Sequence, residues 1–199
     1  MSLLRRWLLG LLLGGMCLPC LAGAAPLDAS GSGGEPPTVV VEYREGSYYG
    51  TLSFTVPVPP AVALEVLTDF EHMANFVPNL TSSKLLSQAG NIYRIAQQGT
   101  ANFGPFSFSF ESERQVEVFP EGRLVSNGIS GSPRSIRSEL RITAANGGSH
   151  LDYRVEMVPD RWFPSSIGTH FIRHELAEQF MALGREMKLR QKSRPKSQG

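Results

Sequence analysis

Cysteine is nearly absent from this 199-residue chain, with only Cys17 and Cys20, both in the first apolar stretch. The rest of the sequence therefore has no disulfide, no thiol nucleophile and no thiolate metal ligand. Charge is sparse and balanced, at 19% of residues and a formal net of +1, so the basic footprint of a nucleic-acid binder is missing. Long hydrophobic runs are also lacking. The single candidate, residues 7–21, is broken by Gly10, Gly14, Gly15 and Pro19. It is shorter than the ~20 apolar residues a spanning helix needs, which excludes a polytopic membrane protein. At 41% hydrophobic residues, wholesale disorder is excluded as well, and the length suits one domain.

The N-terminal run reads as an export signal. Arg5 and Arg6 precede it, and Ala22-Gly23-Ala24 follows with small residues at the two positions a signal peptidase reads. Residues 1–24 are expected to be removed and the mature chain to be periplasmic, the alternative being an uncleaved anchor. Losing Arg5 and Arg6 turns the net charge of +1 into −1. Residues 25–37 are rich in Gly, Ser, Pro and acid, and read as a flexible linker.

From residue 38 the chain alternates. Val39, Val41 and Tyr43, then Leu52, Phe54 and Val56, mark a first stretch of strand closed by Pro57, Pro59 and Pro60. Val62, Val66, Leu67 and Phe70 have helical spacing, and residues 72–76 suggest a second short helix. Strands follow over about 84–87, 92–98, 106–118, 123–129, 136–142 and 151–157, separated by Gly-containing turns. Each has one apolar and one charged face, as a sheet with one wet side requires. After Pro159 and Pro164 the period becomes helical, with Ile172, Leu176, Phe180, Leu183 and Met187 on one stripe. A sheet with one dry face and a helix with one dry stripe satisfy each other by packing together.

The order of elements, with Val56-Pro57-Val58-Pro59-Pro60-Ala61, Val66-Leu67-Thr68-Asp69-Phe70 and Phe76-Val77-Pro78-Asn79-Leu80, resembles the START-like (SRPBCC) superfamily, in its polyketide cyclase and coenzyme Q-binding branch. The resemblance covers roughly residues 38–191, leaving 192–199 as a basic, disordered tail. It implies an α+β helix-grip fold: a curved antiparallel sheet of about six or seven strands around a long C-terminal helix, with two short helices after the first strand. It also implies a cavity between helix and sheet for a hydrophobic small molecule such as a lipid or isoprenoid quinone. Asp69 and Pro78 read as helix-end and turn residues, not as a site.

On this reading the cavity wall comprises Phe106, Phe108 and Phe110 on one face of one strand, Tyr153 and Met157, and Ile172, Leu176 and Phe180 from the helix. The competing reading is that these rings simply fill a core. Tyr93, Gln97, Asn127 and Ser138 are candidates to orient a ligand head, with no basis for choosing among them. Trp162 and Phe163 either gate the entrance or staple the helix start.

Catalytic signatures are missing. His170 and His174 have zinc-binding spacing, but no third ligand is identifiable and both lie off the apolar stripe. Gly128-Ile129-Ser130-Gly131-Ser132 lacks the last Gly of a hydrolase elbow. No cofactor or metal is expected, and no constellation identifies an enzyme, though the alternatives are a cyclase/dehydratase acting on a polyketide-like substrate in the same cavity, or a partner-binding domain with a filled core. Residues 185–199 hold Arg185, Lys188, Arg190, Lys192, Arg194 and Lys196 against Glu186 alone. That cluster either solubilises the helix end or touches an anionic membrane peripherally.

Overall fold

The computed structural model describes residues 36–103, 106–160 and 164–194, with the backbone alone at Phe103 and Phe106. The expected signal segment and all but the end of the expected linker lie outside these residues.

The sequence stretch read as one opening strand is two: β1 (Thr38–Arg44) and β2 (Ser47–Val56) form a hairpin in which Arg44 pairs with Ser47. Glu45 and Gly46 turn the chain with φ of 51° and 86°, the paired positive values of a two-residue turn. Glu in place of the usual Asn or Asp hides that turn in the sequence. Helix α1 (Pro60–Thr68) begins on a proline, whose fixed φ suits a first helical turn. It is followed by a 3-10 helix at Phe70–Asn75, slightly ahead of the expected 72–76. Both therefore follow the second strand, not the first.

Next come β3 (Leu80–Ala89), β4 (Ile92–Phe103), β5 (Phe106–Phe119), β6 (Arg123–Gly131), β7 (Ser135–Ala145) and β8 (Gly148–Val158), then α2 (Ser165–Ser193). The count corrects the expected six or seven strands to eight. They form one open antiparallel sheet in the order β1-β2-β8-β7-β6-β5-β4-β3.

Helix α2 packs on β1, β2 and α1. Two glycines permit that approach. A Cβ on Gly184 would stand 2.6 Å from Phe54 Cζ, and one on Gly50 would stand 3.0 Å from Leu176 Cδ1. At the C-terminal half of α2 the interior is solid: Val56, Val58, Val62, Val66, Leu151 and Met187 are fully buried. Ionic contacts fasten the same end. Arg190 bonds Asp69 at 2.5 Å and Glu186 at 2.7 Å, lies 3.5 Å from Glu65, and stacks over Phe76, while Arg194 pairs with Glu65. Two cations of the C-terminal basic cluster are thus engaged with α1 and its C-cap. Asp69 is the helix-end residue the sequence suggested, and it is also an anchor for α2.

Candidate functional site

A cavity of about 1330 Å³ lies between the N-terminal half of α2 and strands β4 to β8. That exceeds the roughly 300–1,000 Å³ of sites for drug-sized ligands. The walls follow the pleat. Inward positions of β5 carry Phe108, Phe110, Ser112, Arg114 and Val116, and those of β4 carry Ile95, Gln97, Gly99 and Ala101. Strand β8 contributes Tyr153, Val155 and Met157, and α2 contributes Phe171, Ile172, Glu175, Leu176 and Phe180. Phe108 packs on Phe171 with centroids 5.1 Å apart, and Tyr153 packs on Phe180 at the same separation. Phe108 is 36% exposed, and with Pro133, Pro159 and Asp160 it marks the mouth.

A polar track runs through this apolar room. Arg114 Nη2 donates to Gln97 Oε1. Gln97 Nε2 donates to Ser83 Oγ at 3.1 Å, and Ser83 donates to the Phe70 carbonyl at 2.5 Å. Arg114 lies opposite an irregularity where Glu113 and Arg114 pair with Ser130 and Gly128, leaving Ile129 as an extra residue in β6. Such bulges re-aim neighbouring side chains. Arg114 Nε is buried without a hydrogen-bond partner. The residue as a whole is only half-buried, because what it meets is cavity instead of packed protein. Desolvation pulls its pKa below the usual guanidinium value, with Tyr153 opposing, yet a guanidinium stays charged. Burial likewise pushes the Tyr153 phenol up, against a hydrogen bond from Ser138 and the field of Arg114.

Glu175 is the charged group on the helix wall. Asn79 Nδ2 donates to both its oxygens, at 3.1 and 3.3 Å. Burial nevertheless raises its pKa, with the Asn79 bonds and His174 pulling the other way. Asn79 can reach it because its backbone takes a left-handed φ of 68°, a conformation asparagine tolerates.

The sequence profile of the family described as polyketide cyclase / dehydrase and lipid transport matches residues 50–188. The chain belongs to this family. No curated protein matches it in sequence. Among solved structures it is similar to a STAR-related lipid transfer protein from Xanthomonas axonopodis, with a TM-score of 0.63 and 14% identity over 77% of this chain and 94% of that one. It is also similar to the Zhui aromatase/cyclase from Streptomyces sp. R1128, with a TM-score of 0.59 and 12% identity over 71% and 94%. The human StarD13 lipid transfer and protein localization domain gives a TM-score of 0.60 and 16% identity over 78% and 86%. At such identities the likeness is one of fold.

In this member of the family, Phe108, Phe110, Tyr153, Met157, Ile172, Leu176 and Phe180 all border the cavity. The Phe106 side chain, Trp162 and Phe163 lie outside the described residues. Of the four candidate head-group residues, Gln97 and Ser138 are on the wall. Tyr93 instead packs on Phe70 at 5.3 Å, outside the cavity, and Asn127 is exposed. His170 and His174 are exposed on α2, and among the described residues no group of side chains is arranged to hold a metal. His72 bonds Asp69 at 2.6 Å, and His150 bonds Ser53 and Thr55 on the outer sheet face. Arg114 and Glu175 are what sequence reasoning missed. Arg114 is four residues beyond Phe110 and so shares the face of the Phe108/Phe110 stripe. That parity was the available signal.

Proposed function

We propose that the protein is an exported, periplasmic carrier that encloses an apolar ligand of lipid or isoprenoid-quinone size without transforming it. The observation that carries this is the cavity of about 1330 Å³ in the interior of a lipid-transport-family fold. Burial of ligand tail supplies affinity at ~25 cal/mol per Å². The side chains Phe108, Phe110, Tyr153, Met157, Ile172, Leu176 and Phe180 are the proposed contacts. The export reading rests on the charged, apolar and small-residue order of residues 1–24. N-terminal sequencing of the protein from its own cells is expected to begin at Ala25. Arg185, Lys188 and Lys192, which make no ion pair among the described residues, support a peripheral membrane contact during loading.

Native mass spectrometry of the protein purified gently from the periplasm is expected to show a stoichiometric lipid or quinone. Phe108→Asp abolishes uptake, whereas a change at Arg141, which pairs with Glu139 on the outer face, leaves it intact. Equal uptake by both variants overturns the cavity assignment.

One observation favours a second reading, a cyclase/dehydratase. Glu175, its pKa raised by burial, and Tyr153 both border the cavity and are chemically fit for general acid work. Conversion of a polyketide-like substrate, lost in Glu175→Gln or Tyr153→Phe, decides for it over the carrier.

A further inference from the structure

The cavity contains one feature that an apolar ligand alone leaves unexplained. Arg114 is the single cation among its described lining residues, and no carboxylate of the described chain pairs with it. Its guanidinium makes one hydrogen bond among the described residues, to the amide oxygen of Gln97. Nε is buried and unpartnered. A guanidinium offers five donors in a planar fork matched to an oxyanion, and a charge drawn partly out of water without a counter-charge is costly to keep. The wall carboxylates are elsewhere. Asp160 is at the mouth, the exposed Glu111 is three residues before Arg114 and so of opposite parity along β5, and Glu175 is held by Asn79, whose backbone carbonyl crowds Gly99 where Phe110 packs. Phe110 is four residues, roughly 13 Å of extended strand, toward the mouth from Arg114.

We propose that the ligand is an amphiphile with an anionic oxygen head, a carboxylate or a phosphate, that enters head first and pairs with Arg114, leaving its apolar tail along Phe110 and Phe108 toward the mouth. This rests on the carrier reading and adds a sign and an orientation to it. Gln97, fixed from behind by Ser83, holds one edge of the guanidinium and leaves the remainder for the ligand. A head lodged near the mouth would instead face Asp160 and Glu175, which repel an anion.

The test uses the full mature chain, stripped of bound lipid, and paired probes that differ only in the head. These are palmitate against hexadecanol, and dipalmitoyl phosphatidate against dipalmitoylglycerol, with inorganic phosphate as the head without a tail. Wild type is expected to bind at least one acid about 10–100-fold more tightly than its neutral partner. The pair with the larger gap identifies the head. Arg114→Met is expected to erase that gap while still binding hexadecanol, and Arg114→Lys to keep part of it. Thermal unfolding of each variant shows whether it is folded, and the wild-type comparison needs no variant. Equal binding of acid and neutral probes overturns the anionic head and leaves the carrier reading standing. An acid preference that survives in folded Arg114→Met overturns the assignment to Arg114. Inorganic phosphate binding as tightly as phosphatidate overturns the amphiphile, and failure of every tailed probe removes both this inference and the carrier.

Discussion

The two halves of α2 cover the same sheet and meet it in opposite ways. The C-terminal half is drawn down by Gly184 against Phe54 and fastened to α1 and its C-cap through Arg190 and Arg194. Behind it Leu151, Val56 and Met187 leave no room. Among the described residues the N-terminal half makes no ion pair to β4–β7; its Phe171 meets Phe108 of β5, and the other inward side chains of those strands border the cavity. Both halves are amphipathic, and both sheet ends alternate apolar with polar. The difference between core and cavity therefore lies in the spacing between layers, which a few close contacts at one end set for the whole helix.

The sharpest way to test that contrast is to make similar truncations on the two sides. Leu151→Ala in the solid end should cost about 2–5 kcal/mol, since the transfer term and a new void add. Phe108→Ala at the mouth should cost under about 1 kcal/mol, because the ring is partly exposed and already borders space. Urea unfolding of both variants checks this, and equal losses would mean that the cavity end is packed in solution. Gly184→Val attacks the close contact itself. Its side chain overlaps Phe54, so a loss of about 1–3 kcal/mol is expected, read as a lower Tm.

Most elements of the fold were legible because their faces differ. The alternation of β5 to β8 and the Ile172–Leu176–Phe180 stripe survive into the structure nearly residue for residue. The hairpin at Glu45-Gly46 was not, because a type of turn that usually advertises itself by Asn or Asp is made here with Glu. Arg114 was legible in principle, since parity with Phe110 places it inward, but a charged residue in a strand full of charge reads as solvated until its face is counted. Whether Phe110 and Tyr153 line a core or a cavity was illegible for a different reason. It depends on Gly184 and Arg190, which act at the far end of another element, and no local pattern encodes that distance.

The ionic fastening gives a smaller effect with a distinctive pH signature. Burial opposes ionisation of Asp69, but the hydrogen bonds from His72 and Arg190 outweigh it and hold its pKa below the ordinary 3.8. A depressed acid contributes stability that is full above its unfolded pKa and is lost as pH falls through the folded one. Asp69→Asn should thus cost about 1–2 kcal/mol near neutral pH. The difference from wild type should shrink in acid, where Asp69 itself becomes neutral. A pH-independent difference would show that shape, not charge, fastens α2 to α1.

At the hollow end the sign reverses. Glu175 has its pKa raised from the ordinary 4.5 by burial, only partly offset by Asn79. The stability a raised acid contributes is complete below its unfolded pKa and disappears as pH rises through the folded one; above that, the chain carries a desolvated carboxylate. Glu175→Gln keeps an oxygen to accept from Asn79 and removes the charge. The variant should match wild type near pH ~4 and exceed it by about 0.5–1 kcal/mol at pH ~8, as measured by urea unfolding across that range. Destabilisation at the alkaline end would mean that the Asn79 bonds to the charged form outweigh desolvation, and that the mouth of the cavity is wetter than its walls imply. A stabilising change at Glu175 beside a destabilising one at Asp69, on carboxylates that serve the two halves of one helix, would show that the protein is built for cohesion at one end and for occupancy at the other.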